Sequence, residues 1–313
     1  MPGKSWEEKS RFVCLYGSPY FPWAKNAKRY NLIFNHKYIE KNFLIGAGLP
    51  TPALLAAIGK DYDIKDENQL YDFLTARSEP IVIKPIGASK GSDVMVLRPQ
   101  GDVFHLGTDT LTKEQIWKRL TRRSGDGWIA EKYVECVGLA KRMHPASLNS
   151  FRVMTVQLQN GEWCLLDCVL KSGRDDNIVD NALSDSGLKI WLDSDGRIDH
   201  VWDYQTDSSI TSHPSTGVKL VGELVEGYQE VVDLALRASS KLGFAGSIGF
   251  DIAYTADGPV ILEGNASWSC RFQRWDRGLI TDEIAPQMNR RNIFSTWDKR
   301  CMHPDSLYTK WFK

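Results

Sequence analysis

The sequence lacks the motifs of several common enzyme classes. Its six histidines are isolated and its six cysteines are scattered without a CxxC pair, so neither residue type predicts a zinc site. No G-x-G-x-x-G segment follows an apolar strand, which leaves a dinucleotide-binding site unsupported. These absences narrow the search to sites made from carboxylates, amides, lysines and arginines.

The chain also lacks an excess of either charge and any long apolar run. Lys and Arg together number 39, as do Asp and Glu, so no basic surface for nucleic acid is indicated. No apolar segment approaches the roughly 20 residues that span a bilayer, and the first residues lack the build of a signal peptide. We therefore expect a cytoplasmic protein with reduced thiols that acts on small molecules, without nucleic-acid or membrane partners, and a homodimer is left open.

Short helical and strand patterns alternate along the 313 residues, which are enough for about two domains. A helix of about three turns is predicted to follow Asn35 and to end at Gly48. Its apolar face is predicted to contain Tyr38, Ile39, Phe43, Leu44 and Ala47. A strand is predicted over 128–134, a capping box at Thr112 and Gln115, and a long helix over 221–242.

The segment IVIKPIGASKGSD, residues 81–93, is the first candidate binding site. Its apolar strand ends at Lys84 and Pro85 and opens into a loop of small residues, whose backbone N–H groups can approach phosphate oxygens. Lys84 adds a point charge beside them. The order of a Walker A loop is absent, because Lys90 precedes Gly91, so the segment alone favours an ordinary hairpin loop.

The hairpin GSIGFDIAYTADGPVILEGNASW has polar residues where strands should be apolar. A three-residue loop at 256–258 places Asp251 directly opposite Glu263, with Asn265 on the same face. Facing carboxylates require a cation, and two carboxylates with an amide oxygen suit Mg²⁺ or Mn²⁺. A two-residue loop instead shifts the register, so that both carboxylates become solvated charges on opposite faces. The hairpin alone leaves both readings open.

Taken together, separated motifs in order resemble the ATP-grasp superfamily, over about residues 35–288. NHKYIEKNFLIGAGLPTP resembles its lysine helix, VIKP its phosphate-binding strand, EKYV its adenine hinge and the hairpin its D…E-x-N metal motif. SLNSFRVMT followed by VDNALSDSG resembles the sugar-transfer-associated branch. Gly249 departs from the arginine of D-alanine-type ligases, and Arg152, Arg271 or Arg274 is then the substitute.

The resemblance implies a role for each matching residue. The residues implied to hold the nucleotide are Lys37, Lys84, Gly87, Ser89, Gly91, Glu131, Lys132, Val134 and Glu135. Those implied to be catalytic, at the γ-phosphate and the forming acyl phosphate, are Arg152, Asn181 and Arg271. Those implied to hold Mg²⁺, or Mn²⁺, are Asp251, Glu263 and Asn265.

The same resemblance implies an α+β fold, in which two α+β subdomains with mostly antiparallel sheets close on ATP. The expected divisions are a lead-in over 1–34, a subdomain with the glycine-rich flap and adenine hinge over 35–138, and one with the metal and acceptor sites over 139–313. The implied reaction joins a carboxylate to an amine through an acyl phosphate and releases ADP and phosphate. The alternatives are a small-molecule kinase on the same fold and an inactive nucleotide-binding regulatory protein.

Overall fold

The computed structural model describes residues 26, 30–88, 93–122, 125–177, 180, 187–274, 276–282 and 284. The strands in these ranges are β1 (Leu54–Ile58), β2 (Ile81–Pro85), β3 (Met95–Gln100), β4 (Val103–Leu106), β5 (Asp109–Leu111), β6 (Trp128–Lys132), β7 (Phe151–Gln157), β8 (Trp163–Ser172), β9 (Leu188–Leu192), β10 (Ile198–Asp203), β11 (Ser208–Ser209), β12 (Ser247–Thr255) and β13 (Gly258–Asn265). The helices are α1 (Asn31–Asn35), α2 (Lys37–Gly46), α3 (Glu67–Thr75), α4 (Lys113–Thr121), α5 (Gly138–Met143) and α6 (Tyr228–Lys241), with a 3-10 turn at Cys270–Phe272.

The strands form two sheets, and every pairing between these strands is antiparallel. The first sheet has six strands in the order β1-β6-β2-β3-β4-β5, and the second has seven in the order β11-β10-β9-β8-β7-β12-β13. The predicted α+β class with mostly antiparallel sheets is confirmed. None of the helices in the described ranges is long and apolar enough to cross a membrane.

The second sheet has one apolar face and one face with charged side chains. Helix α6 covers the apolar face, where Val231 and Ala235 pack in one core with Val153 and Phe250. Successive side chains of a strand point to opposite faces, so Arg152, which precedes Val153, faces the other side. Burial of α6 therefore fixes which face is available for polar chemistry.

Several predicted boundaries need correction. The long helix begins at Tyr228 rather than at 221, because Gly222 and Gly227 hold φ angles of 88° and 77°, which are incompatible with a helix. Strand β6 ends at Lys132, two residues before the predicted end. The capping box before α4 is confirmed, since Thr112 and Gln115 exchange side-chain and backbone hydrogen bonds.

Candidate functional site

The turn between β12 and β13 is shorter than the sequence analysis expected. Thr255 pairs with Gly258, so two residues form the loop and the prediction of a three-residue loop is wrong. A regular hairpin with this loop would pair Asp251 with Leu262 and turn Glu263 to the opposite face. The two-residue loop is the alternative given in the sequence analysis, in which the two carboxylates are separate solvated charges on opposite faces.

A β-bulge reverses this consequence. Ile252 pairs with Ile261, whereas the next residue, Asp251, pairs with Glu263, so Leu262 is an extra residue on β13. The extra residue shifts the register by one position. Asp251 and Glu263 therefore lie directly opposite each other as predicted, through a two-residue loop and a bulge.

Asp251 is the centre of a group of buried charges that we call the aspartate cluster, comprising Asp251, Arg152, Lys171 and Asp180. Arg152 on β7 donates from Nε to Oδ1 of Asp251 at 2.7 Å and from Nη2 to Oδ2 at 2.9 Å. The Nζ of Lys171 on β8 lies 3.2 Å from Asp251 Oδ2 and 3.3 Å from Asp180 Oδ1. Burial opposes ionisation of Asp251, but Arg152 and Lys171 outweigh it and lower its pKa to about 2.

A second group, the lysine cluster, lies between α2 and the first sheet and comprises Glu40, Lys41, Lys84 and Glu131. The carboxylate of Glu131 on β6 bridges two cations, with Oε1 at 2.8 Å from Lys41 Nζ and Oε2 at 2.8 Å from Lys84 Nζ. Burial acts against each charge, yet Lys84 and Lys41 together lower the pKa of Glu131. Glu131 correspondingly raises the pKa of Lys84 against the effect of burial.

Glu40 is the member of the lysine cluster that reaches the hairpin. It lies on α2 and is 5% exposed, and its Oε1 accepts a hydrogen bond from the backbone N–H of Gly264 on β13. Burial, followed by the nearby charge of Glu263, raises the pKa of Glu40 to about 8. At neutral pH this carboxyl is therefore mostly protonated.

Lys37, at the first position of α2, links the glycine-loop strand to the hairpin. Its backbone N–H donates to Ile86 O at 3.2 Å, and its Nζ donates to Ala88 O at the start of the loop. The same Nζ lies 3.9 Å from Glu263 Oε2. Glu263 also raises the pKa of Lys84 and of Arg152, although Glu131 and Asp251 respectively act more strongly. Glu263 is thus close to both clusters.

Three other residues implied to hold the nucleotide lie outside both clusters. Lys132 lies on the exposed end of β6, and its Nζ is 3.7 Å from Glu79 Oε2, so its side chain is not part of the lysine cluster. Val134 follows the end of β6, and Glu135 is exposed with Oε1 at 3.4 Å from Lys141 Nζ. Their contacts with a nucleotide stay predictions.

At Gly87 an added Cβ would lie 2.7 Å from Oδ2 of Asp126, which is the end of an exposed side chain that can move aside. Of the implied catalytic residues, Arg152 is in the aspartate cluster, while the side chain of Arg271 is exposed and its carbonyl accepts from Lys189. Ser89, Gly91 and Asn181 lie outside the described residues.

Sequence reasoning did not single out four charged residues of the two clusters, namely Glu40, Lys41, Lys171 and Asp180. Glu40 and Lys41 were missed because the apolar periodicity favoured a face with Ile39, which is 37% exposed. Lys171 follows the apolar run over 168–170 of strand β8, and a charge at the end of an apolar run is costly without a partner. That argument, already applied to Lys84, would have found Lys171.

The donor set of the hairpin suits a small, hard cation. Glu263 and Asn265 supply oxygens on the face of Asp251, and Asn265 Nδ2 donates weakly to Gly249 O and to Glu263 Oε1, both at 3.4 Å, which leaves the amide oxygen directed elsewhere. Among the described residues no group of three or more His, Cys, Asp or Glu side chains is placed to hold a metal. Asp251 is itself engaged by Arg152 and Lys171, so the three metal ligands stay predictions.

Two antiparallel sheets, with a lysine strand in the first and a D…E-x-N hairpin in the second, define an ATP-grasp protein. The family model described as sugar-transfer-associated ATP-grasp matches residues 20–282, and the chain belongs to that family. A search of curated proteins gives no match.

Several solved structures of low sequence identity resemble part of this chain. An N5-carboxyaminoimidazole ribonucleotide synthetase in complex with ADP is 15% identical, with 79% of this chain and 52% of that chain covered and a TM-score of 0.46. An L-amino acid ligase from Bacillus licheniformis is 16% identical, with 74% and 40% covered and a TM-score of 0.41. A RimK-domain ATP-grasp protein from Sphaerobacter thermophilus is 14% identical, with 76% and 61% covered and a TM-score of 0.42. The chain spans about half the length of the first solved structures it matches.

Proposed function

We propose that this protein is an ATP-dependent, ADP-forming ligase that joins a small-molecule carboxylate to an amine in the cytoplasm. The observation that supports this function best is the position of Glu263. Its carboxylate is 3.9 Å from Lys37 Nζ and opposite Asp251, so one candidate metal ligand lies between Lys37 and the aspartate cluster. Phosphate oxygens and a divalent cation would meet at this point.

In the proposed mechanism, the chain positions ATP with cations that it already holds buried. Lys84 and Lys37 bind phosphate oxygens, and backbone at the start of the glycine loop contacts them as well. Lys84 would exchange part of its contact with Glu131 for a phosphate. Glu263 and Asn265, with Asp251, would hold Mg²⁺, which neutralises charge on the β- and γ-phosphates when bound.

The substrate carboxylate then attacks the γ-phosphorus, the bond to the β-phosphate oxygen breaks, and ADP leaves. Arg152 stabilises the charge that develops during this transfer. An amine attacks the carbonyl carbon of the acyl phosphate, loses a proton and expels phosphate, which leaves an amide. Because little covalent chemistry falls to the protein, its contribution is positioning and charge neutralisation.

The test incubates the purified protein with Mg-ATP, pools of carboxylic acids and hydroxylamine, and measures ADP, phosphate and hydroxamates. A ligase releases ADP and phosphate and yields a hydroxamate. A phosphorylated product without free phosphate or hydroxamate would replace this proposal with the kinase. Nucleotide binding without turnover in any pool would favour the regulatory protein.

The metal assignment has its own test in Glu263→Gln. Loss of the carboxylate should lower ADP formation by about 100-fold, in line with removal of one electrostatic contact to the transition state. Glu162→Gln is the matched control, because Glu162 is exposed on the loop between β7 and β8. Equal ADP formation by wild type and Glu263→Gln would remove Glu263 from the site.

A further inference from the structure

We propose that Glu40 is a positioning residue, which holds β13 in the bulged register and thereby places Glu263 and Asn265 for the metal. The expected effect of Glu40 on metal-dependent nucleotide binding rests on the proposed function. The claim that Glu40 holds the register of β13 rests only on the contacts between α2 and β13. Glu40 lies outside the implied nucleotide and metal ligands, and it touches the chain between two of those ligands.

The first step concerns the free edge of the second sheet. Strand β13 is its last strand, so the backbone groups that point away from β12 need other partners. The backbone groups of Ile261 bond to the segment after α2. Its N–H donates to Pro50 O at 2.9 Å, and its carbonyl accepts from Thr51 Oγ1 at 2.8 Å. Gly264 finds its partner in the carboxyl of Glu40.

The second step concerns which residue presents its N–H to this edge. Along a regular strand, outward-pointing N–H groups recur at every second residue. After Ile261, the next outward group would therefore belong to Glu263, and Glu263 would face the apolar side of the sheet. The bulge at Leu262 moves the outward position to Gly264. Glu40 accepts the N–H that only the bulged register offers.

The third step concerns the close fit at Gly264. An added Cβ would lie 3.1 Å from Glu40 Oε1 and 3.3 Å from a ring carbon of Phe34, closer than ordinary side-chain contacts. Glu40 in turn is fixed from the other side, because its helix is held to the first sheet by the Lys41–Glu131 ion pair of 2.8 Å. The contact therefore connects the nucleotide lysines to the metal strand.

The experiment compares Glu40→Ala with Glu40→Gln, which keeps an acceptor oxygen of the same reach. Asn42→Ala is the control, since Asn42 is exposed on the same helix and bonds only to Tyr38 O, at 2.8 Å, among the contacts described. The first readout is amide hydrogen exchange of the peptide over 259–266, without nucleotide. We expect about tenfold faster exchange in Glu40→Ala, and near wild-type exchange in Glu40→Gln and Asn42→Ala.

The second readout is ADP affinity by calorimetry, with EDTA and with Mg²⁺. Glu40→Ala should lose about tenfold of the affinity gained with Mg²⁺ and change less than about twofold in EDTA, while Glu40→Gln keeps the gain. Unchanged exchange over 259–266 in Glu40→Ala overturns the inference, as does equal weakening in both buffers. If wild type fails to bind ADP, the proposed function fails, whereas the exchange result still decides the role of Glu40. Gly264→Ala provides a second route, and its exchange should match that of Glu40→Ala.

Discussion

The lysine cluster and the aspartate cluster each bury two carboxyl groups and two cations, but they differ in how the charges balance. In the aspartate cluster, Arg152 and Lys171 hold the pKa of Asp251 at about 2, so it stays ionised. In the lysine cluster, Glu131 forms ion pairs with both Lys41 and Lys84. Burial raises the pKa of Glu40, the second carboxyl group, to about 8. In the lysine cluster the two lysines therefore share one carboxylate, Glu131, and burial lowers the pKa of Lys41.

This difference shows that burial alone does not decide the charge of a carboxyl group. Asp251 accepts two hydrogen bonds from one guanidinium, whereas Glu40 accepts from a backbone amide that carries no charge. Glu131 raises the pKa of Lys84 against the effect of burial, so the Lys84 ammonium is the cation of this cluster that suits phosphate oxygens. In the aspartate cluster Arg152 and Lys171 already contact Asp251, so Glu263, directly opposite it, is the carboxylate left for a cation.

The largest effect is expected from breaking the lysine cluster at Glu131. Glu131→Ala leaves Lys41 and Lys84 buried beside each other without their shared counterion, which should cost about 3–5 kcal/mol of the free energy of unfolding. Urea unfolding at pH 7 measures this loss. Lys132→Ala, one residue along the same strand and exposed, should change the free energy by less than about 0.5 kcal/mol. A loss below about 1 kcal/mol for Glu131→Ala would mean that the lysines are not truly buried.

The next effect distinguishes the clusters by the sign of their pH dependence. The pKa of Glu40 is raised on folding from 4.5 to about 8, so its contribution is fully present below pH 4.5 and is lost as pH rises through 8. Relative to Glu40→Gln, wild type should therefore lose about 3 kcal/mol of unfolding free energy between pH 5 and pH 7.5. Urea unfolding across this range, without nucleotide, measures the difference. Parallel curves would show that Glu40 is charged throughout.

The sequence predicted a site residue when the cue for its role came from neighbouring residues, and missed it when its partners are distant in the chain. Lys84 and Glu263 were found because each is a charge in an apolar strand, and that cost is visible in a few neighbouring residues. Glu40 and Lys41 were not, because their partners Gly264 and Glu131 are distant in sequence and both residues resemble ordinary helix-surface charges. Only the packing of α2 between the two sheets makes them buried.

The hairpin illustrates the opposite case, in which a correct pairing came from an incorrect local prediction. Asp251 does face Glu263, but through a two-residue turn and a bulge at Leu262 rather than through a three-residue turn. Turn chemistry at Ala256 and Asp257 does not encode a bulge five residues later. The bulge is supported from outside the hairpin, by the contacts that α2 and the segment after it make with the edge of β13.

The smallest effect is expected at the aspartate cluster in acid, with the opposite sign to that of Glu40. The pKa of Asp251 is lowered on folding from 3.8 to about 2, so its contribution is present above pH 3.8 and is lost as pH falls through 2. Wild type should lose about 2 kcal/mol relative to Asp251→Asn over this interval. Asp257→Asn, in the exposed turn of the same hairpin, is the control and should follow wild type. If Asp251→Asn and wild type instead lose stability in parallel between pH 5 and pH 2, Arg152 and Lys171 do not hold Asp251 ionised, and the contrast between the two clusters disappears.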